Sequence, residues 1–91
     1  MSAPGTWCVY VLRCADRTYY TGVTNDLAKR LAAHRAGTAS KYTRARLPVK
    51  LVMSVGAWPT RGPALSVEAS IKALPRSRKL AALRAARTAA G

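Results

Sequence analysis

The chain has 91 residues, of which 16 are lysine or arginine and only three are aspartate or glutamate, so its formal net charge is +13 at pH 7. This length allows one domain with a single core. Three acids are too few for an EF-hand or for a site with two metal ions bridged by carboxylates. Because so many like charges repel one another on a small surface, the charge indicates a polyanionic partner, DNA or RNA.

The N-terminal residues and the two cysteines bear on where the protein works. Residues 1–6 contain neither a basic nor an apolar segment, so we expect no signal peptide. No apolar run approaches the ~20 residues of a transmembrane helix, and no amphipathic helix with aromatic anchors favours a membrane surface. Cys8 and Cys14 would be ~20 Å apart on one strand, too far for a disulfide. We therefore expect a cytoplasmic, nucleoid-associated protein with reduced thiols.

Three stretches rich in aromatic or β-branched residues predict strands. They are residues 7–14, 19–23 and 49–55. A short polar turn separates the first two, so they form a hairpin. Tyr10 and Tyr20 share a face of that hairpin only if its loop has an odd number of residues or a bulge, since a two-residue turn places them on opposite faces. The sequence leaves this register open.

Capping residues and hydrophobic spacing predict three helices, which cover residues 27–35, 64–74 and 77–90. Thr24 or Asn25 caps the first helix, with Asp26 in its first turn, and Gly37 ends it. A basic loop over residues 37–46 follows. The last helix is rich in alanine and arginine.

The predicted order is therefore β-β-α-β-α-α. A small three-stranded sheet flanked by helices, an α/β (α+β) arrangement, buries the apolar face of each element. We expect the third strand to return beside the first after the first helix crosses over. One domain spans residues 1–91, with its core in residues 7–83.

Two tyrosines and two helical residues are candidates for a site. Arg30 and His34 are four residues apart on the first predicted helix, so they share a face. Each candidate also has a structural interpretation. Tyr10 and Tyr20 would pack the sheet, Arg30 would pair with Asp26, and His34 would be half-buried.

Glu68 is the only glutamate in the chain. Its neighbours one turn away, Leu65 and Ile71, are apolar, and we expect both to face the core. A carboxylate at the edge of an apolar face needs a partner. It either pairs with Lys72 in the next turn or holds a magnesium ion, which needs only one carboxylate because it keeps most of its waters.

Taken in order, these residues resemble the GIY-YIG nuclease superfamily. The tripeptide CVY ending at Tyr10 stands at the first signature position, and YTG beginning at Tyr20 stands at the second. Arg30 and His34 match the family's arginine and the histidine found in many members, and Glu68 matches the metal-binding glutamate. The resemblance covers nearly the whole chain and is closest to the small group without an additional DNA-binding domain.

The chain departs from the family pattern at a few positions. Cys8, Val9 and Thr21 stand where the signatures have glycine, isoleucine and isoleucine, and valine and threonine both suit strands. Arg17 lies in the turn where a glycine would ease the backbone. None of the positions that the resemblance makes catalytic is lost.

The resemblance implies hydrolysis of DNA phosphodiester bonds with one divalent ion, Mg²⁺ or Mn²⁺, held by Glu68. Arg30 would stabilise charge on the phosphoryl oxygens. Tyr10 and His34 are alternative bases, with ordinary pKa values near 10 and 6.5. We take Tyr10 as the base or as the group that orients the water, with His34 and Tyr20 positioning it and shuttling protons.

Other basic and aromatic residues are expected to hold the nucleic acid through its phosphates, with one tyrosine stacking on an unpaired base. They are Lys41, Tyr42, Arg44, Arg46, Lys72 and Arg76. Because no base-reading element is visible, we expect structure-selective or weakly selective cleavage, as in DNA repair, with a protein partner as one source of specificity. The alternative is a module of the same fold that binds nucleic acid without cleaving it.

Overall fold

The computed structural model describes residues 5–75, 78 and 81. Within them the chain forms β1 (Trp7–Arg13), β2 (Tyr19–Thr24), α1 (Leu27–Ala36), α2 (Lys41–Arg44), β3 (Lys50–Trp58) and α3 (Arg61–Lys72). The predicted succession of elements through the second long helix is confirmed, with α2 as an additional short helix inside the predicted basic loop. The predicted helix over residues 77–90 lies almost entirely outside the described residues. No helix in the described part is long and apolar enough to cross a membrane.

The three strands form one antiparallel sheet in the order β2-β1-β3, so the third strand does lie beside the first. Tyr10 is directly opposite Gly22, and Leu12 is opposite Tyr20. Because side chains alternate between faces along a strand, Tyr10 and Tyr20 lie on the same face. The register that the sequence left open is therefore the one that brings the two tyrosines together.

The loop between β1 and β2 sets this register. The Cys14 N–H donates to the Thr18 carbonyl at 2.8 Å, which leaves residues 15–17 as the loop proper. A three-residue hairpin loop commonly places its last residue in the left-handed region. Arg17 occupies that position with a φ of +68°. The odd loop that the shared tyrosine face requires is therefore present, with an arginine at the position that suits glycine.

The sheet is covered on both faces. Tyr10 and Leu12 pack on one face with Leu27 and Leu31 of α1, and Val11 packs on the other in the cluster that includes Ile71 of α3. This explains why β1 is buried along most of its length, as is usual for a central strand covered on both sides. The two cysteines are buried and unbonded, as predicted.

The cap of α1 differs from the prediction. Asp26, which was expected inside the first turn, is the N-cap, and its carboxylate accepts from the Lys29 N–H at 3.2 Å. Thr24 cannot take this role because it is still in β2, where its hydroxyl accepts from the Asp26 N–H at 3.0 Å. Gly37 ends the helix with a φ of +79°, as predicted.

The later elements begin or end a few residues from their predicted bounds. β3 continues to Trp58, and α3 starts at Arg61 because Pro63 is tolerated in the first turn of a helix, where its missing N–H has no partner to lose. The expectation that Leu65 faces the core was wrong, since it is 39% exposed. The completely buried Ala64 faces the sheet instead, and the next residue points about 100° further round the helix.

Candidate active site

A buried hydrogen bond between Tyr10 and His34 lies at the centre of the candidate site. The Tyr10 hydroxyl is 2.8 Å from His34 Nε2, and both side chains are completely buried. The tyrosine comes from the central strand and the histidine from the inward face of α1. The Tyr10 ring crosses the backbone of β2 at Gly22, where a Cβ would collide with the phenol. Glycine is therefore required at this position, because the phenol of Tyr10 passes too close to the backbone to leave room for a side chain.

The second nitrogen of His34 is also bound. Nδ1 lies 2.8 Å from the Thr43 hydroxyl, which in turn lies 2.8 Å from the hydroxyl of Ser40. Thr43 is completely buried in α2, and Ser40 is the N-cap of that helix. Two proton arrangements satisfy this chain: His34 donates through Nδ1 to Thr43, or through Nε2 to Tyr10. In the first arrangement, the Tyr10 hydroxyl donates a hydrogen bond to His34 Nε2.

Burial and charge shift the pKa values of the pair in opposite directions. Burial raises the pKa of Tyr10 to about 12, the Arg30 guanidinium opposes this shift, and the Tyr20 and Glu68 charges add to it. Burial also lowers the pKa of His34, and the positive charge of Arg30 lowers it further. At neutral pH the pair is therefore an uncharged phenol beside an uncharged imidazole.

Arg30 and Glu68 approach the pair from different helices. Arg30 is exposed on α1, one turn before His34. The Glu68 side chain is only 19% exposed on α3, and its carboxylate lies 3.6 Å from the ammonium of Lys72, whose own side chain is 56% exposed. The pairing with Lys72 that the sequence offered as an alternative is thus present. It is a loose contact that leaves the carboxylate with room for another ligand.

Aromatic rings extend the site towards the surface. The Tyr20 ring centre is 5.1 Å from that of His34, and the ring of Tyr42 stacks on Tyr20 with centres 6.0 Å apart. The Arg46 guanidinium covers the Tyr42 ring at 3.8 Å and also forms an ion pair of 2.9 Å with Asp16. Tyr42 and Arg46, which the sequence assigned to nucleic-acid contacts, therefore also support each other within the fold.

A cavity of about 250 Å³ adjoins these rings and is lined by Tyr19, Tyr20, Thr21, Tyr42 and Lys72. The structure thus brings Lys72 next to the aromatic residues, although it is distant from them in sequence. Among the described residues, the Thr21 hydroxyl is the buried side-chain polar atom without a hydrogen-bond partner. Lys41 and Arg44 lie exposed on α2, and Arg76 lies outside the described residues.

Sequence reasoning missed the role of Thr43 and of the short helix that carries it. The available signal was Ser40, since serine is a preferred N-cap residue, although it lies within the predicted basic loop. Its hydroxyl accepts from the Thr43 N–H at 3.1 Å, as an N-cap side chain does in the first turn of a helix. The pairing of Thr43 with His34 required the tertiary structure, since the two are nine positions apart and α1 ends between them.

Comparison with known proteins identifies the family and the fold. The family model described as the GIY-YIG catalytic domain matches residues 6–81. The chain belongs to the GIY-YIG family. A UPF0213 protein of Xanthomonas axonopodis pv. citri is 46% identical over 85 residues, which are 93% of this chain and 82% of that protein. The range matched by the family model spans the positions of Tyr10, Tyr20, Arg30, His34 and Glu68.

Two solved structures have the same fold. The solution NMR structure of a protein from E. faecalis matches with a TM-score of 0.64 and 34% identity, covering 93% of this chain and 90% of the other. That of a UPF0213 protein from Bacillus halodurans matches with a TM-score of 0.56 and 37% identity, covering 87% and 83%. Membership of the GIY-YIG family implies a nuclease that acts on nucleic acid with a divalent metal ion.

Substitution of Gly22 by alanine tests the close approach of Tyr10. We expect Gly22→Ala to lower the free energy of unfolding by about 1–3 kcal/mol, because the new methyl group must displace the phenol. Gly62→Ala is the matched control, since a Cβ at Gly62 meets no atom within 4 Å. Urea unfolding measures both. Equal stabilities of the two variants would contradict the predicted collision.

The lowered pKa of His34 predicts acid destabilisation. The histidine of the unfolded chain takes up a proton near pH 6.5, whereas folded His34 does so only at lower pH. The free energy of unfolding should therefore fall as pH drops below about 6.5, until pH passes the folded pKa. Urea midpoints at pH values from 7.5 downwards measure this. His34→Gln, which leaves the chain without a histidine, should lack this component, and parallel curves for the two proteins would refute it.

Proposed function

We propose that this protein is a metal-dependent endonuclease that hydrolyses DNA phosphodiester bonds with one divalent ion, Mg²⁺ or Mn²⁺. The observation that carries the proposal is the buried hydrogen bond between Tyr10 and His34. The charges of Arg30 and Glu68 both act on the pKa of Tyr10, in opposite directions. A proton donor and a proton acceptor in contact, beside a cation and a carboxylate, are the groups that hydrolysis of a phosphodiester needs.

The residues fit a single, weakly held metal ion. The described residues contain no group of three histidine, cysteine or acidic side chains that could hold a metal ion by themselves. Glu68 supplies one half-buried carboxylate with only a loose lysine contact. This suits Mg²⁺, which keeps several waters and takes phosphate oxygens as further ligands. When bound, the ion would neutralise charge on the phosphate and on the leaving oxygen.

The Tyr10–His34 pair supplies a route for one proton. With its pKa near 12, Tyr10 is a weak base at neutral pH unless its own proton leaves at the same time. His34 Nε2, at 2.8 Å and uncharged, is positioned to accept that proton while Tyr10 takes one from the attacking water. Arg30 opposes the rise in the pKa of Tyr10 and would also stabilise the phosphoryl oxygens.

The surface around the site would hold DNA through its phosphates. Lys41 and Arg44 on α2 are exposed cations, and Lys72 lines the same cavity as the rings of Tyr20 and Tyr42. Cations beside aromatic faces bind backbone and unpaired bases without reading sequence. We therefore propose structure-selective or weakly selective cleavage in DNA repair, in the cytoplasm, with RNA as an alternative substrate and specificity supplied by a partner protein.

Removal of the Glu68 carboxylate tests the nuclease. We expect Glu68→Gln to reduce metal-dependent cleavage of labelled branched, flapped and plain duplex DNA roughly 100-fold or more, with binding retained or improved. Asp26→Asn is the matched control, because it removes one negative charge and asparagine is an equally good helix cap. Binding without cleavage by the parent protein under Mg²⁺ and Mn²⁺ would refute the proposal and leave a nucleic-acid-binding module.

Removal of the Thr43 hydroxyl tests whether His34 must be held in place. In Thr43→Val the Nδ1 atom of buried His34 loses its partner, so we expect kcat to fall about tenfold and the pH–rate profile to shift, with KM little changed. Thr43→Ser should restore both. Thr38→Val, which removes a hydroxyl bonded to the Ala33 carbonyl, is the control. A reduced rate with an unmoved pH profile would assign Thr43 a packing role only.

A further inference from the structure

A continuous chain of hydrogen bonds leads from buried Tyr10 towards the outside of the protein. The Tyr10 hydroxyl contacts His34 Nε2, and His34 Nδ1 contacts the Thr43 hydroxyl, each at 2.8 Å. The Thr43 hydroxyl contacts that of Ser40 at the same distance. Tyr10, His34 and Thr43 are completely buried, whereas Ser40 is only partly buried. The chain therefore starts at the group that would take a proton from the attacking water and ends at the member with exposed surface.

All of these hydrogen bonds point outwards when His34 carries its proton on Nδ1. Tyr10 then donates to Nε2, Nδ1 donates to Thr43, and the Thr43 hydroxyl donates to Ser40. The other acceptor of that hydroxyl, the Ser40 carbonyl, lies farther away at 3.5 Å. The Ser40 oxygen also accepts from the Thr43 N–H at 3.1 Å, which occupies both of its lone pairs. Its own proton is therefore left to donate to water.

His34 cannot readily keep a second proton. Burial lowers its pKa, and the positive charge of Arg30 lowers it further, so an imidazolium in this place is unfavourable. A proton that arrives at Nε2 is accommodated far more easily if the proton on Nδ1 leaves at the same time. Thr43 and Ser40 are suited to receive it, since a hydroxyl can accept one proton while it releases another.

We propose that His34, Thr43 and Ser40 form a proton relay that carries a proton from Tyr10 to solvent during hydrolysis. In taking the attacking water as the source of the proton, the relay rests on the proposed function. It assigns a role to Ser40, which is separated from Tyr10 by two other side chains and does not touch the substrate. Ser40 and Thr43 are positioning residues that act through His34.

The proton count of the relay balances. As Tyr10 takes a proton from the water, its own proton passes to His34 Nε2, and the Nδ1 proton passes to Thr43. The Thr43 proton passes to Ser40, and the Ser40 proton passes to solvent. Each member keeps its charge, and all hydrogen bonds along the chain are reversed. Passage of a proton in the opposite direction, with Tyr10 protonating the leaving oxygen, restores the first arrangement.

Ser40→Asn separates the relay from the cap of α2. Asparagine is as good an N-cap as serine, so the Thr43 N–H keeps an acceptor and we expect Tm to change little. The asparagine amide, however, cannot take up one proton and release another as a hydroxyl does. Ser40→Thr keeps both the cap and the hydroxyl. Thr38→Val is the matched control, because it removes a nearby hydroxyl that bonds only the Ala33 carbonyl among the described hydrogen bonds.

Exchange of the His34 imidazole proton with water measures the relay without DNA or metal. His34 is the only histidine in the chain, so its N–H signal is identified directly by NMR saturation transfer. We expect exchange about tenfold slower in Ser40→Asn, since the proton must then wait for local opening of the structure. Ser40→Thr and Thr38→Val should exchange like the parent protein. Equal rates in Ser40→Asn and the parent, or equal slowing in Thr38→Val, would overturn the relay.

Thr43→Val repeats the exchange test should Ser40→Asn fold poorly. It breaks the chain one residue further in and leaves the cap intact, because Ser40 still accepts from the backbone N–H of residue 43. We expect exchange of the His34 proton to slow as it does in Ser40→Asn. Exchange as fast as in the parent protein would overturn the relay.

The cleavage assay tests whether hydrolysis uses the relay. In Ser40→Asn we expect kcat to fall about tenfold with KM little changed, and Ser40→Thr should restore kcat. An unchanged kcat in an active nuclease would overturn the relay and leave the nuclease standing. A parent protein that cleaves no DNA would refute the nuclease, while slowed exchange in Ser40→Asn would still identify the path of the proton.

Discussion

The buried hydrogen bond between Tyr10 and His34 is the interaction on which the rest of this structure depends. It joins the central strand to α1, and Thr43 extends it to α2, so three elements meet in one chain of polar atoms. The bond can form only because Gly22 leaves space for the phenol. Buried polar groups must be paired, and this requirement fixes the relative positions of the elements more strictly than apolar packing does.

The distribution of charge follows from the same constraint. The interior pair is uncharged, because burial raises the pKa of Tyr10 and lowers that of His34. The described lysines and arginines lie at the surface instead, where their charge would attract a polyanion and increase the rate of association. Arg30 connects the two regions, since it is exposed and still acts on Tyr10. An uncharged, hydrogen-bonded pair beneath a strongly positive surface is compatible with the chemistry proposed for a bound phosphate.

Several residues both stabilise the fold and form the surface beside the candidate site. Arg46 binds Asp16 and covers the ring of Tyr42, which in turn supports Tyr20 beside His34. Contacts of this kind hold the aromatic side of the site in place before any nucleic acid arrives.

The sequence by itself determined the strands, the first two long helices, the family and the candidate catalytic residues, because these depend on local patterns and ordered motifs. It could not decide the cap of α1, since Thr24, Asn25 and Asp26 are all good caps and only the end of β2 excludes the first. It gave no sign that Leu65 is exposed or that Thr43 binds His34. Only the tertiary structure decided these points, and the shared face of Tyr10 and Tyr20, because each depends on which distant surfaces pack together.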